Sequence, residues 1–310
     1  MSDDHPMREK IGVSAALTTP FDDTGAIDWP RFTAHAKRLL QTDIRVVTAF
    51  GTTGEGVSIS ASARASLFEH AAGAGIEAGS LVECVYGPSS QDAGDHARRS
   101  LDAGCAGILL TPPFYFKQPT EEGVYRWFAE VLERAGSASR DVILYNIPGL
   151  TGVRIGPGLV TRLRLAFPQA IAGVKDSSGD WQQTAALLAE HRDLAILVGH
   201  EGDLARAARA GASGSISGLA NFAPELIAKL VRGEDELLID NILDRLLKLP
   251  VVPAVKAVLA ATTGDPAWSR VRAPLVPVQD TDGLRPCEEI SLLVQDWLAS
   301  ASGRTTQRAG

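Results

Sequence analysis

The sequence predicts an α/β fold, namely a (β/α)8 TIM barrel with a C-terminal helical extension. Three features predict it: eight short apolar or β-branched runs, a segment with helical spacing of apolar residues after each run, and helical segments without strands after about residue 233. Strict alternation of strands and helices favours parallel pairing through crossover helices. A closed barrel and an open doubly wound sheet both satisfy this alternation, and the count of eight favours the barrel.

The eight predicted strands are short, and each is followed by turn residues. They cover residues 13–17, 44–49, 81–86, 107–111, 142–145, 171–175, 194–198 and 214–217. The helices predicted between them cover residues 30–41, 61–77, 90–103, 120–135, 157–166, 181–190, 202–210 and 223–232. A nucleotide-binding open sheet usually carries GxGxxG after its first strand, whereas here that strand leads into TTPFDDTG. The Gly-rich run GTTGEG follows the second strand and has a different spacing, so the closed barrel is predicted.

The 310 residues are expected to form one barrel with an extension rather than two separate domains. Residues 1–233 are predicted to form the catalytic barrel, which fits the roughly 250 residues that such barrels commonly use. Residues 234–300 are predicted to form a helical extension packed on the barrel. The helices predicted in it cover residues 234–247, 251–263 and 286–300. Residues 301–310 are small and polar, so a disordered tail is expected there.

Composition and charge argue against several classes of function. Thirty basic residues and 37 acidic residues give a net charge of −7, which argues against nucleic acid as a partner. No run of 18 uninterrupted apolar residues occurs, and the first ten residues do not resemble a signal peptide, so no membrane partner is expected. Cys84, Cys105 and Cys287 are too few and too far apart for a disulfide framework. We expect a cytoplasmic protein that acts on small molecules.

Lys175 is the strongest candidate for a catalytic residue. Active sites of (β/α)8 barrels form at the carboxyl ends of the strands, and Lys175 ends the sixth strand in the apolar run IAGVK. Partial desolvation there disfavours the charged ammonium and lowers the pKa of a lysine. A neutral amine can attack a carbonyl carbon and form a Schiff base, which stabilises a neighbouring carbanion as an enamine. The alternative is a surface lysine that closes the strand beside Asp176.

Two other strand ends carry polar groups suited to the same chemistry. In GTTGE, backbone N–H groups between two glycines can converge on an anion such as a substrate carboxylate, and Thr52 and Thr53 add hydroxyls. Tyr145 ends the fifth strand in YNIP, where its hydroxyl can relay protons if another hydroxyl polarises it. The alternatives are an ordinary threonine-capped turn and a tyrosine whose hydroxyl only meets water.

Four motifs, in this order and each at a predicted strand end, carry a resemblance to a known family. GTTGE, TPPFYFK, YNIPGLTG and GVKDSSGD together resemble the dihydrodipicolinate synthase and N-acetylneuraminate lyase family of Schiff-base-forming class I aldolases. The resemblance covers residues 11–232, and the helical tail is also similar to that family. It implies that Lys175 is the Schiff-base lysine and that Tyr145 shuttles protons during imine formation and carbon–carbon bond chemistry.

The resemblance also implies how the 2-oxo acid is bound and how the proton relay is completed. Thr52 matches the relay threonine, the backbone of Thr52 and Thr53 matches the carboxylate pocket, and Gly51 belongs to the same expected binding set. Tyr115 matches the tyrosine that reaches the neighbouring subunit's site. The run FYFKQP is one residue longer than the family form PYYNKP, so Phe116, which has no hydroxyl, is the competing match.

At Leu150 the chain departs from the sequence pattern of true dihydrodipicolinate synthases. Those enzymes usually carry an arginine after YN-hydrophobic-Pro, where it binds the carboxylate of the aldehyde partner, and leucine cannot pair with a carboxylate. The chain therefore resembles the lyase and sugar-acid aldolase side of the family, in which this substrate-binding position is often apolar. Arg154 is near in sequence and either partly compensates or is a solvated loop arginine.

The loop VGHEGD after the seventh strand is expected to bind the second substrate. His200 and Glu201 occupy the place where sialic-acid-type lyases carry acidic residues that bind substrate hydroxyls. The resemblance thus implies substrate-binding roles for Gly199, Glu201 and Ser217, the last at the end of the eighth strand. The alternative is that Glu201 and Asp203 only cap the next helix.

The expected activity is a Schiff-base-dependent lyase or aldolase. It would make or cleave a carbon–carbon bond between pyruvate, or another 2-oxo acid, and an aldehyde, with a 2-keto-3-deoxy sugar acid or related compound as substrate. Dehydration of such an acid, dihydrodipicolinate synthase proper and a non-catalytic barrel that binds a 2-oxo acid remain alternatives. No cofactor is expected beyond the lysine imine, and no metal, since the six histidines lack ligand spacing. The resemblance implies a homodimer or homotetramer.

Overall fold

The eight strands form a closed parallel barrel in chain order, with the last strand paired to the first. The computed structural model describes residues 11–136, 139–279 and 281–308, and the side chains up to residue 300, apart from that of Thr281. The strands are β1 Gly12–Ala16, β2 Val46–Ala49, β3 Leu81–Val85, β4 Gly107–Leu110, β5 Val142–Asn146, β6 Ile171–Asp176, β7 Ala195–Val198 and β8 Gly214–Ser217. The predicted barrel is confirmed, and each predicted strand is present.

Helices alternate with the strands and continue into the C-terminal extension. They are α1 Trp29–Leu40, α2 Ala61–Ala65, α3 Leu67–Gly73, α4 Ser90–Asp102, α5 Glu121–Ala135, α6 Pro148–Thr151, α7 Pro157–Ala166, α8 Trp181–Glu190, α9 Leu204–Arg209, α10 Pro224–Val231, α11 Leu238–Leu246, α12 Val251–Thr263 and α13 Thr281–Arg308. None of the helices in the described stretches is long and apolar enough to cross a membrane.

The helix predicted over 61–77 is instead two short helices that end earlier. The division falls at Ser66, whose backbone N–H donates to the carbonyl of Ala63 three residues back. The second helix ends because Gly75 adopts a φ of +76°, which allows the N–H of Ile76 to reach back to the carbonyl of Ala71. This is a glycine-dependent helix end, since the left-handed conformation strains residues that carry a Cβ.

The side chains that alternate along the strands fill the barrel interior. One buried cluster takes a residue from every strand, including Cys84, Leu109, Tyr145 and Ile216, whereas the intervening residues pack outward against the helices. A register shift between β5 and β6 pairs Ile143 with Gly173 and then Tyr145 with Lys175. The barrel therefore places the tyrosine and the lysine side by side at its carboxyl end.

The C-terminal extension packs on the barrel, and its last helix starts earlier than predicted. The last helix begins at Thr281 rather than at 286, and Pro286 lies inside it. Its backbone is traced to Arg308. The disordered tail expected over residues 301–310 stays a prediction. Residues 309 and 310, like residues 1–10, lie outside the described part of the chain.

Candidate active site

A cavity of about 160 Å³ opens at the carboxyl ends of the barrel strands. Six of the residues that the sequence identifies line it together: Thr52, Thr53, Tyr145, Lys175, Gly199 and Glu201. Because these residues come from the ends of β2, β5, β6 and β7, the closed barrel is what brings them to one place.

The Lys175 amine is buried in this cavity beside the Tyr145 hydroxyl. Lys175 is only 6% exposed, and its Nζ lies 3.4 Å from the Tyr145 oxygen and 4.5 Å from the centre of the Tyr145 ring. The adjacent Asp176 points away and is occupied: its oxygens accept hydrogen bonds from Asn146 Nδ2 at 2.8 Å and from Thr184 Oγ1 at 2.6 Å. Over the described residues, no carboxylate lies within ion-pair distance of the Lys175 amine. Lys175 is therefore a buried cavity lysine rather than a surface lysine paired with Asp176.

Gly199 leaves the space in which the Lys175 side chain extends. A Cβ at this position would lie 3.2 Å from Lys175 Cε and 2.1 Å from Ser177 Oγ. Any larger residue would displace one of these side chains, since real Cβ atoms do not approach other atoms so closely. The contribution of Gly199 to the cavity is thus the room it leaves beside the amine.

A second hydroxyl continues the polar chain from Lys175 to the GTTGEG loop. Thr52 Oγ1 lies 3.3 Å from the Tyr145 oxygen, so three polar groups follow one another from threonine to tyrosine to lysine. Each hydroxyl can donate one proton and accept another. The arrangement can therefore carry a proton between the lysine nitrogen, or an atom bonded to it, and Thr52.

The GTTGEG loop is held in a tight conformation that only glycine allows at two positions. A Cβ at Gly54 would lie 2.6 Å from the carbonyl oxygen of Leu17, and a Cβ at Gly56 would lie 1.9 Å from that of Phe50. Between them, Glu55 adopts a left-handed backbone with a φ of +54°. Thr19 Oγ1 donates to the Gly54 carbonyl at 2.6 Å and ties the loop to the end of β1. The loop thus presents Thr52 and Thr53 to the cavity in a fixed position.

A buried ion pair beneath this loop is a feature that the sequence reasoning missed. Lys256, in the middle of α12, donates to Glu55 and to the Arg270 carbonyl, and both charged side chains are fully buried. The other Glu55 oxygen accepts from the backbone N–H of Arg272 at 2.7 Å. Burial lowers the pKa of Lys256, and the Glu55 carboxylate opposes that shift. The signal in the sequence was a single lysine within the apolar helix VVPAVKAVLAA, which requires a buried partner.

Glu201 faces the cavity and is held by Ser217. The Ser217 hydroxyl donates to Glu201 Oε1 at 2.7 Å, and both residues are buried. Asp203, the residue before α9, makes no capping hydrogen bond to that helix, and its carboxylate lies 3.3 Å from His200 Nδ1. The structure therefore places Glu201 where it can meet a ligand, with Ser217 behind it as a support.

Other residues that the sequence identifies lie elsewhere. Tyr115 is 73% exposed, and its ring packs edge-on against the exposed Phe116 ring, 5.3 Å away. Leu150 is exposed on α6 and is not part of the cavity lining within the described residues. Gly51 is buried behind the loop, where its carbonyl accepts from the N–H of Gly56. Arg154 donates to Gln183 at 2.7 Å and pairs with Asp180, so it does not compensate for Leu150 within this chain.

The donor set in the cavity consists of hydroxyls, one amine and one carboxylate. No group of three or more His, Cys, Asp or Glu residues suited to a metal ion occurs in the part of the chain that the structure describes. Burial raises the pKa of the Cys84 thiol, which lies inside the barrel, to about 11. The cysteine therefore stays protonated, and Lys175 is the candidate nucleophile.

Comparison with known proteins identifies the family. The family model described as the dihydrodipicolinate synthetase family matches residues 9–285. An uncharacterized DapA-like lyase from Chloroflexus aurantiacus is 31% identical over 289 residues, which cover 89% of this chain and 94% of that protein. The 4-hydroxy-tetrahydrodipicolinate synthase of Bacillus subtilis is 28% identical over 295 residues, which cover 91% of this chain and 98% of that enzyme.

Solved structures agree with this assignment. A dihydrodipicolinate synthase from Agrobacterium tumefaciens superposes with a TM-score of 0.89 at 44% identity, covering 92% of this chain and 99% of that one. A variant of the 2-keto-3-deoxygluconate aldolase of Sulfolobus solfataricus superposes with a TM-score of 0.80 at 20% identity, covering 94% and 98%, and shares the fold. The chain therefore belongs to the dihydrodipicolinate synthetase family and is an enzyme of the lyase class.

Proposed function

We propose that Lys175 forms an imine with pyruvate or a related 2-oxo acid and that the enzyme then makes or breaks a carbon–carbon bond with an aldehyde. The observation that carries this proposal is the position of the Lys175 amine. It is buried in the cavity, has no carboxylate partner within the described residues, and lies 3.4 Å from the Tyr145 hydroxyl. An amine that is not held by a carboxylate is free to approach the carbonyl carbon of a substrate in the cavity.

The proposed reaction begins when the lysine nitrogen attacks the C2 carbonyl of the 2-oxo acid. Tyr145 and Thr52 carry protons between the nitrogen and the former carbonyl oxygen, which leaves as water when the C=N bond forms. Loss of a proton from C3 gives an enamine, because the imine accepts the electron pair. C3 then attacks the aldehyde carbon, whose oxygen takes up a proton, and water hydrolyses the imine to release the product. The same steps in reverse cleave the bond.

Two polar regions of the cavity suit the carboxylate and the C4 hydroxyl of the substrate. The N–H groups and hydroxyls of Thr52 and Thr53 are proposed to bind the carboxylate of the 2-oxo acid. Glu201, held by Ser217, is proposed to bind the hydroxyl on C4, which arises from the aldehyde oxygen and which 2-keto-3-deoxy sugar acids carry. The imine supplies the electron sink, so no further cofactor is part of the proposal.

We further propose that Tyr115 completes the relay in a second copy of the chain, in a homodimer or a homotetramer. Tyr115 does not line the cavity of its own chain and is largely exposed together with Phe116. Two large aromatic side chains in contact with water are typical of surfaces that bind another protein. A fully active monomer in light scattering would contradict this part of the proposal.

Borohydride trapping tests the imine directly. The wild-type enzyme incubated with pyruvate and borohydride is expected to gain the mass of one reduced pyruvate, and peptide mapping is expected to place it on Lys175. Lys175→Arg should gain nothing, whereas Lys37→Arg, which changes a surface lysine bonded to the Ala74 carbonyl, should be labelled like the wild type. Labelling of another lysine, or none at saturating pyruvate, would overturn the assignment.

Product analysis separates the reactions that one imine can support. Aldol cleavage of a 2-keto-3-deoxy acid releases pyruvate and an aldehyde, whereas dehydration releases water and keeps the carbon skeleton. We propose cleavage or its reverse. Aspartate semialdehyde is expected to be a poor partner, because no arginine lines the cavity in the described ranges and its carboxylate would lack a cation.

A further inference from the structure

The C-terminal extension forms an apolar wall on the cavity that contains Lys175. Leu243 and Leu246 of α11, Leu247 after it, and Val251 and Val255 of α12 all line this cavity. We call these five side chains the leucine wall. Leu246 and Val255 are buried, whereas Leu247 and Val251 are 56% and 43% exposed at the mouth. Exposed apolar groups at the mouth of a cavity point to an apolar ligand.

The leucine wall begins beside Glu201. A Cβ built on Gly202, the next residue in the chain, would lie 3.3 Å from Leu243 Cδ1. Leu243 therefore packs against the turn that carries the Glu201 carboxylate. A substrate whose C4 hydroxyl meets Glu201 would extend its next carbon atoms along these side chains, toward the mouth.

The polar groups of the cavity are already assigned to the first four carbon atoms. Lys175, Tyr145, Thr52 and Thr53 serve the 2-oxo acid, and Glu201 serves the C4 hydroxyl. Among the described residues, Ser177 is the one other polar side chain in the lining, and it lies on the Lys175 side, where its Oγ faces Gly199. Hydroxyls on C5 and C6 of a sugar acid would lose water against the leucine wall without gaining hydrogen bonds.

We infer that the aldehyde carries an apolar chain or ring, so that the substrate is a 4-hydroxy-2-oxo acid with an apolar substituent on C4. This inference rests on the proposed imine at Lys175 and narrows the substrate class. The apolar substituent lies on the leucine wall, and the enzyme discriminates against polyhydroxylated tails. The wall comes from the extension rather than from the barrel, so the extension determines the specificity of the barrel's chemistry.

The test compares two substrates in pyruvate-release assays. One is 4-hydroxy-2-oxo-4-phenylbutanoate, which has an apolar ring on C4, and the other is 2-keto-3-deoxygluconate, which has a polyol tail. We expect kcat/KM to favour the first by about 10-fold or more, the range in which apolar pockets discriminate. Equal values, or a preference for the sugar acid, would overturn the inference.

Variants at the mouth show whether the wall is responsible. Leu247→Gln should lower kcat/KM for the phenyl substrate by about 10-fold. The ratio of its kcat/KM to that of 2-keto-3-deoxygluconate should therefore fall. Leu237→Gln changes an exposed leucine outside the cavity and should behave like the wild type. If the ratio of kcat/KM for the phenyl substrate to that for the sugar acid is the same in Leu247→Gln and Val251→Thr as in the wild type, the leucine wall does not determine specificity. Borohydride trapping with pyruvate on the wild type separates the two claims, since it fails only if the imine proposal is wrong.

Discussion

Lys256 of the C-terminal extension donates to the carboxylate of Glu55 in the GTTGEG loop, 201 residues away in the chain, and both side chains are fully buried. The pair joins the extension to the loop that presents Thr52 and Thr53 to the cavity. Since Glu55 also accepts from the N–H of Arg272, two other segments of the chain converge on this one carboxylate. The extension thus holds the GTTGEG loop as well as lining the cavity.

Breaking this pair from either side is expected to destabilise the protein strongly. Lys256→Met leaves a buried carboxylate, and Glu55→Gln leaves a buried ammonium, and each should lower the free energy of unfolding by about 3–5 kcal/mol. The double variant should lose less than the sum of the two, because no isolated charge remains. Denaturant titration of the four proteins measures this coupling. Additive losses would show that the two side chains act independently.

Tyr145→Phe should slow the reaction by about 10²- to 10⁴-fold, the usual contribution of a positioned proton donor. The hydroxyl lies between Lys175 Nζ and Thr52 Oγ1, at 3.4 Å and 3.3 Å, so its loss separates the lysine from the relay. Steady-state rates and the rate of pyruvate trapping measure the effect. Tyr125→Phe, which changes a tyrosine covered by the Arg162 guanidinium and outside the cavity, is the matched control. A Tyr145→Phe enzyme with normal kcat would contradict the relay.

Subunit mixing is expected to test whether Tyr115 acts in the neighbouring site. Tyr115→Phe and Lys175→Ala should each be poorly active alone. After the two variants are dissociated and reassembled together, hybrid dimers contain one site with an intact lysine and an intact partner tyrosine, so activity should reappear. Phe116→Leu, which keeps Tyr115, is the control and should be active without mixing. Failure of mixing to restore activity, with hybrids present by mass spectrometry, would place Tyr115 outside the reaction.

The positions of Lys175, Tyr145 and Thr52 were predictable because two simple rules suffice for them. Short apolar runs locate the strands, and a parallel barrel gathers the residues that end them. The pairing of Glu55 with Lys256 was not predictable, since a lysine in an apolar helix shows that a partner exists but not which one. The leucine wall was not predictable either. The helical spacing of Leu243 and Leu247 indicates an apolar helix face, but it does not indicate which surface that face covers.

His35 is expected to make the protein less stable in acid. It is buried on α1, where its Nε2 lies 3.0 Å from Asn221 Oδ1 and its Nδ1 lies 3.3 Å from an Arg38 nitrogen. Because the Asn221 oxygen can only accept, Nε2 carries the proton, and Nδ1 accepts from Arg38. A second proton on the ring would have to displace that bond and face the guanidinium. Burial, together with the Arg38 charge, lowers the pKa of His35 from 6.5 to about 4.

The sign of the effect follows from proton binding. Between pH 6.5 and about pH 4, His35 binds a proton in the unfolded chain but not in the folded chain. The contribution of neutral His35 to the free energy of unfolding is therefore fully present above pH 6.5 and is lost as the pH falls toward 4. The loss attributable to His35 is at most about 3 kcal/mol. His35→Gln keeps a donor for Asn221 and removes the titration, so the stability difference between wild type and variant should shrink across this range. Denaturant unfolding at several pH values measures it, and parallel curves from pH 7 to pH 4 would refute the assignment.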